Sequence, residues 1–88
     1  MEKDYEPTRE RVKEVFGEVL LHYRRQIGIS QDELALQCGL DRTYISLLER
    51  GKRMPTIHTI FLIAPYLQIQ SDAFLKEIEQ RLPLDTDD

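Results

Sequence analysis

Arg42, Arg50, Lys52 and Arg53 fall close together near the middle of this 88-residue chain, interleaved with Thr43, Tyr44 and Ser46. Cations beside hydroxyls are the side chains that hydrogen-bond phosphate oxygens, and a guanidinium fork also matches the O6 and N7 acceptors of a guanine edge. Little other chemistry competes with them. No carboxylate pair, nucleophile–base set or phosphate-cradling glycine loop appears, which argues against an enzyme. Cys38 is the single cysteine, so an intramolecular disulfide is excluded, and with His22 and His58 it makes no metal-ligand spacing. Neither a metal nor another cofactor is expected. Cys38 reads most simply as a small core residue, and the two histidines as surface or boundary residues.

The elements that must position these cations can be read from local signals. Ser30 and Glu33 make a capping box at the entrance of a short helix, and Gly39 stands where that helix must stop. Asp41 caps a second short helix, about Arg42 to Arg50, that buries Ile45 and Leu48 and shows Arg42, Thr43, Ser46 and Leu47 outward. Two helices meeting steeply through so short a turn are a helix-turn-helix unit. Its second helix is then a candidate reader of the DNA major groove. Upstream, Thr8 can cap a long helix over 9–27, in which Val12, Phe16, Val19, Leu20, Tyr23 and Ile27 recur at helical spacing. Gly17 in its middle costs about 1 kcal/mol relative to alanine, and a close approach by another helix would be a reason to keep it. Downstream, Thr56 caps a fourth helix from Ile57 to about Leu67. Its expected buried stripe is Ile57, Ile60, Phe61, Ala64 and Leu67, with Ile63 on the margin. Pro65 should kink it or make its last turn irregular. Ser71 should cap a fifth helix, Asp72 to Arg81, with Phe74, Leu75, Ile78 and Leu82 on one side. The fold class is therefore all-α with five helices. Residues 8–82 form one domain between a flexible N-terminus, 1–7, and a flexible acidic tail, 83–88.

Net charge is the main objection to a nucleic-acid partner. The chain stands at −4 with a pI near 5.1, whereas nucleic-acid binders usually carry a basic surplus. The distribution softens the objection. Residues 1–21 hold four basic and six acidic side chains (−2), 22–55 hold six and four (+2), and 56–88 hold two and six (−4). Only the middle third is basic, and it contains the helix pair. With screening over about 8 Å at physiological salt, local sign outweighs distant charge. The longest apolar run, Ile60 to Ala64, is too short to span a bilayer, and the acidic start is wrong for a signal peptide. A cytoplasmic protein is expected.

Several short patterns, taken in register, resemble one family. They are Arg24-x-x-x-Gly28-Ile29-Ser30-Gln31, Glu33-Leu34-Ala35, Gly39-Leu40, Tyr44-Ile45-Ser46 and Leu48-Glu49-Arg50-Gly51-Lys52-Arg53 with Pro55. From about Phe16 to Leu75 the chain is similar to the lambda-repressor-like, or Cro-like (XRE), helix-turn-helix proteins. Its LDRTYIS run resembles the controller proteins of restriction–modification systems. The resemblance implies a five-helix lambda-repressor-like domain, here with an extended first helix. It implies base contacts from Arg42, Thr43, Ser46 and Leu47, with Arg42 on guanine and a methyl of Thr43 or Leu47 on thymine. It implies phosphate contacts from Gln31 at a helix N-terminus, from Arg50, Lys52 and Arg53, and from Tyr44 through its hydroxyl. For Tyr44, packing against the first helix is the alternative. Arg24 and Glu49 occupy positions that in the family form a partly buried ion pair, and Ala35 lets the two short helices approach.

One such domain covers half a site, and two-fold dimers place half-sites about 34 Å apart or a multiple of that. A homodimer on double-stranded DNA is the expected assembly, with Phe74, Leu75, Ile78 and Leu82 as its interface. The competing expectation is that these residues pack inside one protomer. No small-molecule ligand domain is expected. The function expected is a sequence-specific transcriptional regulator, repressor or activator, on an inverted-repeat operator. The other class carried forward is a protein-interaction module on the same fold, such as an antitoxin or a bridging factor.

Overall fold

The computed structural model describes residues 7–82; of the ends expected to be flexible, 1–7 and 83–88, all but Pro7 lie outside the described residues. The helices are α1 (Arg9–Ile27), α2 (Gln31–Cys38), α3 (Arg42–Glu49), α4 (Ile57–Ile63) and α5 (Ser71–Arg81), with a 3-10 turn, Ala64–Leu67, between the last two. There is no strand among the described residues. Caps set most of the boundaries. Thr8 Oγ1 accepts from Arg11 N–H at 3.0 Å. Ser30 and Glu33 bond reciprocally, Glu33 N–H to Ser30 Oγ at 3.0 Å and Ser30 N–H to Glu33 Oε1 at 2.8 Å. Gly39 takes φ +69 with Leu40 N–H returning to Ala35 C=O, a left-handed stop that glycine makes without a Cβ penalty. Asp41 then caps α3 by accepting from Thr43 N–H.

α1 runs behind the other helices and carries the centre of the core. Val15, Phe16, Val19 and Leu20 are buried in one cluster with Leu34 and Ala35 of α2, Ile45 and Leu48 of α3, and Phe74 of α5. Phe16 meets Phe74 edge to face at 5.7 Å. Gly17 is where α3 crosses: a Cβ there would stand 2.5 Å from Leu48 O and 2.6 Å from Glu49 O. The close approach is thus to the last turn of α3, which fixes that helix against the long one.

Three expectations need correction. Pro65 does end α4 early, but the apolar stripe is rotated: Thr59, Ile60, Ile63, Ala64 and Leu67 are buried, while Ile57 is 65% and Phe61 56% exposed. Thr59 is inside because its hydroxyl is satisfied by Tyr44 and Thr56, so the polar residue is the one that fits. Ser71 is the first residue of α5, and Gln70 takes the capping position without a side-chain bond. Phe74 and Ile78 are buried in the protomer's own core, and Leu82 is half-buried against it. They are held there by α1, with Tyr23 edge-on to Phe74 at 6.2 Å, so of the expected interface only Leu75 is exposed.

Candidate nucleic-acid interface

The α2–α3 turn brings the first turns of both helices close enough for Arg42 to meet Gln31 and Asp32. Arg42 and Thr43 open α3 and are exposed; Ser46 and Leu47, one turn on, are half-buried. Thr43 N–H is taken by Asp41, and the residue itself is exposed. Arg42 reaches back across the turn. Its Nε lies 3.2 Å from Asp32 Oδ1, and its Nη1 makes a long contact, 3.5 Å, with Gln31 Oε1. The sequence patterns pointed to Gln31 but not to Asp32.

Behind this surface stands a buried ion pair. Arg24 Nε and Nη2 donate to the two carboxylate oxygens of Glu49 at 2.5 and 2.9 Å, with side-chain exposures of 12% and 4%. Arg24 Nη1 also donates to Ile29 C=O at 2.9 Å, holding the α1–α2 connection. The hydrogen bond to Glu49 raises the Arg24 pKa against the opposing effect of burial, so the guanidinium is firmly charged. Gln31 Nε2 donates to Glu49 Oε1 at 2.8 Å. One chain of contacts therefore runs from Arg24 through Glu49 and Gln31 to Arg42, joining α1, α3 and α2. A planar, bidentate pair of this kind fixes orientation better than a lone ammonium would.

The basic loop after α3 is held in the same way. Arg50 Nε donates to Ser46 Oγ at 3.3 Å. Gly51, at φ +70, lies against α1, where a Cβ would come 3.3 Å from Glu14 Cα. The Arg53 guanidinium sits 5.8 Å from the centre of the Tyr44 ring, within range of a cation–π contact. Arg50, Lys52 and Arg53 all remain exposed. Tyr44 is half-buried, and its hydroxyl is 3.0 Å from Thr59 Oγ1, which in turn is 2.9 Å from Thr56 Oγ1, the cap of α4. Its polar end is thus turned towards α4, a contact that neither alternative for this residue had included. Thr59 could have been suspected only from its place in an otherwise apolar stripe.

The surface so built presents one guanidinium fork, a threonine and a run of cations, all on elements braced by α1. Cys38 lies away from it; burial pushes the thiol pKa up, and Sγ contacts Leu62 C=O at 3.7 Å. No group of acidic, histidine or cysteine side chains among the described residues could hold a metal ion. No helix among them is long and apolar enough to cross a membrane.

Comparison with known proteins gives the same picture. Residues 20–74 match the helix-turn-helix family HTH_3. The chain is 37% identical to the control protein C.BamHI of Bacillus amyloliquefaciens over 60 residues, 67% of this chain and 74% of that one. The restriction-modification controller protein C.AhdI from Aeromonas hydrophila superposes with a TM-score of 0.67 at 36% identity, covering 76% of this chain and 98% of that one. The controller protein C.Esp1396I, solved as a tetramer with its natural 35 base-pair operator, superposes with a TM-score of 0.73 at 31% identity, over 81% and 93% of the two chains.

Proposed function

The chain belongs to the HTH_3 helix-turn-helix family, and on that premise we propose that it controls transcription as a homodimer on an inverted-repeat operator. It is a sequence-specific DNA-binding regulator of the type that includes the restriction–modification controller proteins. Such a protein acts in the cytoplasm, and its family works by binding rather than by catalysis. Each protomer lays α3 in the major groove of one half-site. The observation that carries this is the exposed Arg42–Thr43 end of α3, braced through Gln31 and Glu49 to Arg24 and flanked by exposed Arg50, Lys52 and Arg53.

Arg42 reads guanine, and Thr43 contacts a thymine methyl or a neighbouring phosphate. Ser46 and Leu47, half-buried and deeper on the helix, set the fit of the groove. Gln31 stands at the free N–H groups of α2, where a phosphate is favoured, with its amide already oriented by Glu49. Arg50, Lys52 and Arg53 take phosphates along the backbone, while the Tyr44 hydroxyl is held by the buried Thr59. The partner protomer docks on α4: Ile57 and Phe61, one turn apart and largely exposed, form an apolar face that one protomer leaves uncovered, with Leu75 also exposed on α5.

In vitro selection of bound duplexes tests the whole scheme. The recovered sequences should contain an inverted repeat, and affinity should fall with salt at a slope of about −0.9 per phosphate neutralised. Arg42→Ala should cost roughly 1–3 kcal/mol on the selected site and relax its sequence preference. Equal losses on selected and random duplexes would make Arg42 a backbone contact instead. Absence of any salt-dependent DNA binding would return the domain to the protein-interaction class.

A further inference from the structure

Asp32 is the acidic side chain that pairs with Arg42. It lies in the first turn of α2, is 78% exposed, and its Oδ1 is 3.2 Å from Nε of Arg42, which is itself 54% exposed. Its charge suits the N-terminus of α2, but helix stability does not account for its holding an arginine from another helix. A guanidinium has five N–H donors in a rigid fork, and the edge containing Nε is one of the two that can grip a carboxylate or a base bidentately. Here Nε faces Asp32 at ion-pair distance, and Nη1 is 3.5 Å from Gln31 Oε1.

We propose that Asp32 is a positioning residue for Arg42, an internal anion that competes with DNA for the guanidinium fork and so sets operator affinity. On random duplex the pair stays closed, so Arg42 contributes little free positive charge. On the operator, guanine O6 and N7 replace the carboxylate as acceptors for the fork, and the exposed Asp32 returns to water. Opening the pair is a cost that only the operator complex carries, so the carboxylate holds operator affinity down and narrows its margin over random duplex. Because this presupposes that Arg42 reads bases, the test must separate the two.

The probes are the duplex recovered by in vitro selection with the full chain and a shuffled duplex of equal length. Both are titrated over a salt series against the parent, Asp32→Asn, Arg42→Ala and the double variant. Asp32→Asn should tighten operator binding about two- to fivefold, the range of one exposed ion pair. Shuffled-duplex affinity should change less, because the pair stays closed there, so the specificity ratio rises. Asp32→Glu, which keeps the carboxylate, should retain the ratio. In the Arg42→Ala background, Asp32→Asn should leave the ratio unchanged. Removing a carboxylate that merely repels DNA would raise both affinities by the same factor, with no change in ratio, and that result overturns the latch while base reading by Arg42 stands. An unchanged ratio in Arg42→Ala alone overturns base reading, and the latch with it. Both exposed positions allow circular dichroism to verify that every variant is folded.

Discussion

Replacing Gly17 with alanine sets two effects of opposite sign against each other. Alanine is the better helix former by about 1 kcal/mol in a helix interior, so helix propensity alone predicts a more stable protein. The structure predicts the reverse. The new Cβ would lie 2.5 and 2.6 Å from the carbonyl oxygens of Leu48 and Glu49, and real Cβ contacts essentially never fall under 3.0 Å. Those oxygens are backbone, so no side chain can swing aside. Leu48 O also accepts from Gly51 N–H at 3.1 Å, and the Glu49 side chain is fastened to Arg24. α3 must therefore back away as a unit. Overpacking of a well-filled site costs about 1–3 kcal/mol, and rigid partners argue for the upper end. Subtracting the propensity gain leaves a net loss of about 2 kcal/mol, near 8–16 °C in Tm for a domain of this size. Urea unfolding followed by circular dichroism measures it, with a glycine-to-alanine change in an exposed helix as the reference for propensity. The variant should also lose operator affinity, because the displaced element is the reading helix. A Gly17→Ala protein as stable as the parent, or more so, would refute the packing account of the α1–α3 crossing.

Other consequences follow from the same structure. Arg24→Met should cost about 3 kcal/mol, since it leaves a buried Glu49 with only Gln31 as a hydrogen-bond partner; adding Glu49→Leu should recover much of the loss, and a single variant as stable as the parent would deny the pair its role. Phe61→Asp should leave helix content and stability nearly unchanged, because the ring is 56% exposed, yet sedimentation should show a monomer where the parent is a dimer; a parent that is itself monomeric at tens of micromolar sinks the assembly. Burial, and then the hydrogen bond to Glu77, raises the Tyr23 phenol above its ordinary 10.0. The stability it contributes is therefore complete below pH 10 and is lost as pH rises through the folded value. Thermal unfolding from neutral to strongly alkaline pH should show that decline in the parent and a shallower one in Tyr23→Phe.

Where sequence succeeded, the signals were local. The bounds of α1 and the turn between α2 and α3 follow from Thr8, Ser30 with Glu33, Gly39 and Asp41, each of which acts on backbone within a few residues of itself. The facing of α4 was not legible. Ile57, Ile60, Phe61, Ile63 and Ala64 are apolar on both sides of the helix, so periodicity cannot choose between them. The choice is made by a hydroxyl chain to Tyr44, fifteen positions away, and by the switch to a 3-10 turn at Pro65. α5 shows the same difficulty: an apolar side reads alike whether it meets a partner or Phe16 and Tyr23 of its own chain. Arg24 and Glu49 are 25 residues apart, and only the resemblance to a family placed them together. The pairing of Asp32 with Arg42 depends on the angle at which two helices cross, which no spacing rule in one dimension contains.

The hydroxyl chain from Tyr44 through Thr59 to Thr56 has a consequence for the assembled protein. It joins the helix that reads DNA to the cap of the helix that bears Ile57 and Phe61. In a dimer paired through that face, two such joints lie between the two reading helices. They act as the fixed ends of a caliper. The separation of half-sites that the dimer accepts is then a property of Thr59, which touches no base. Thr59→Val keeps the shape of the side chain and removes the joint, so it should broaden the range of spacer lengths recovered from a selection while leaving the half-site letters as they were.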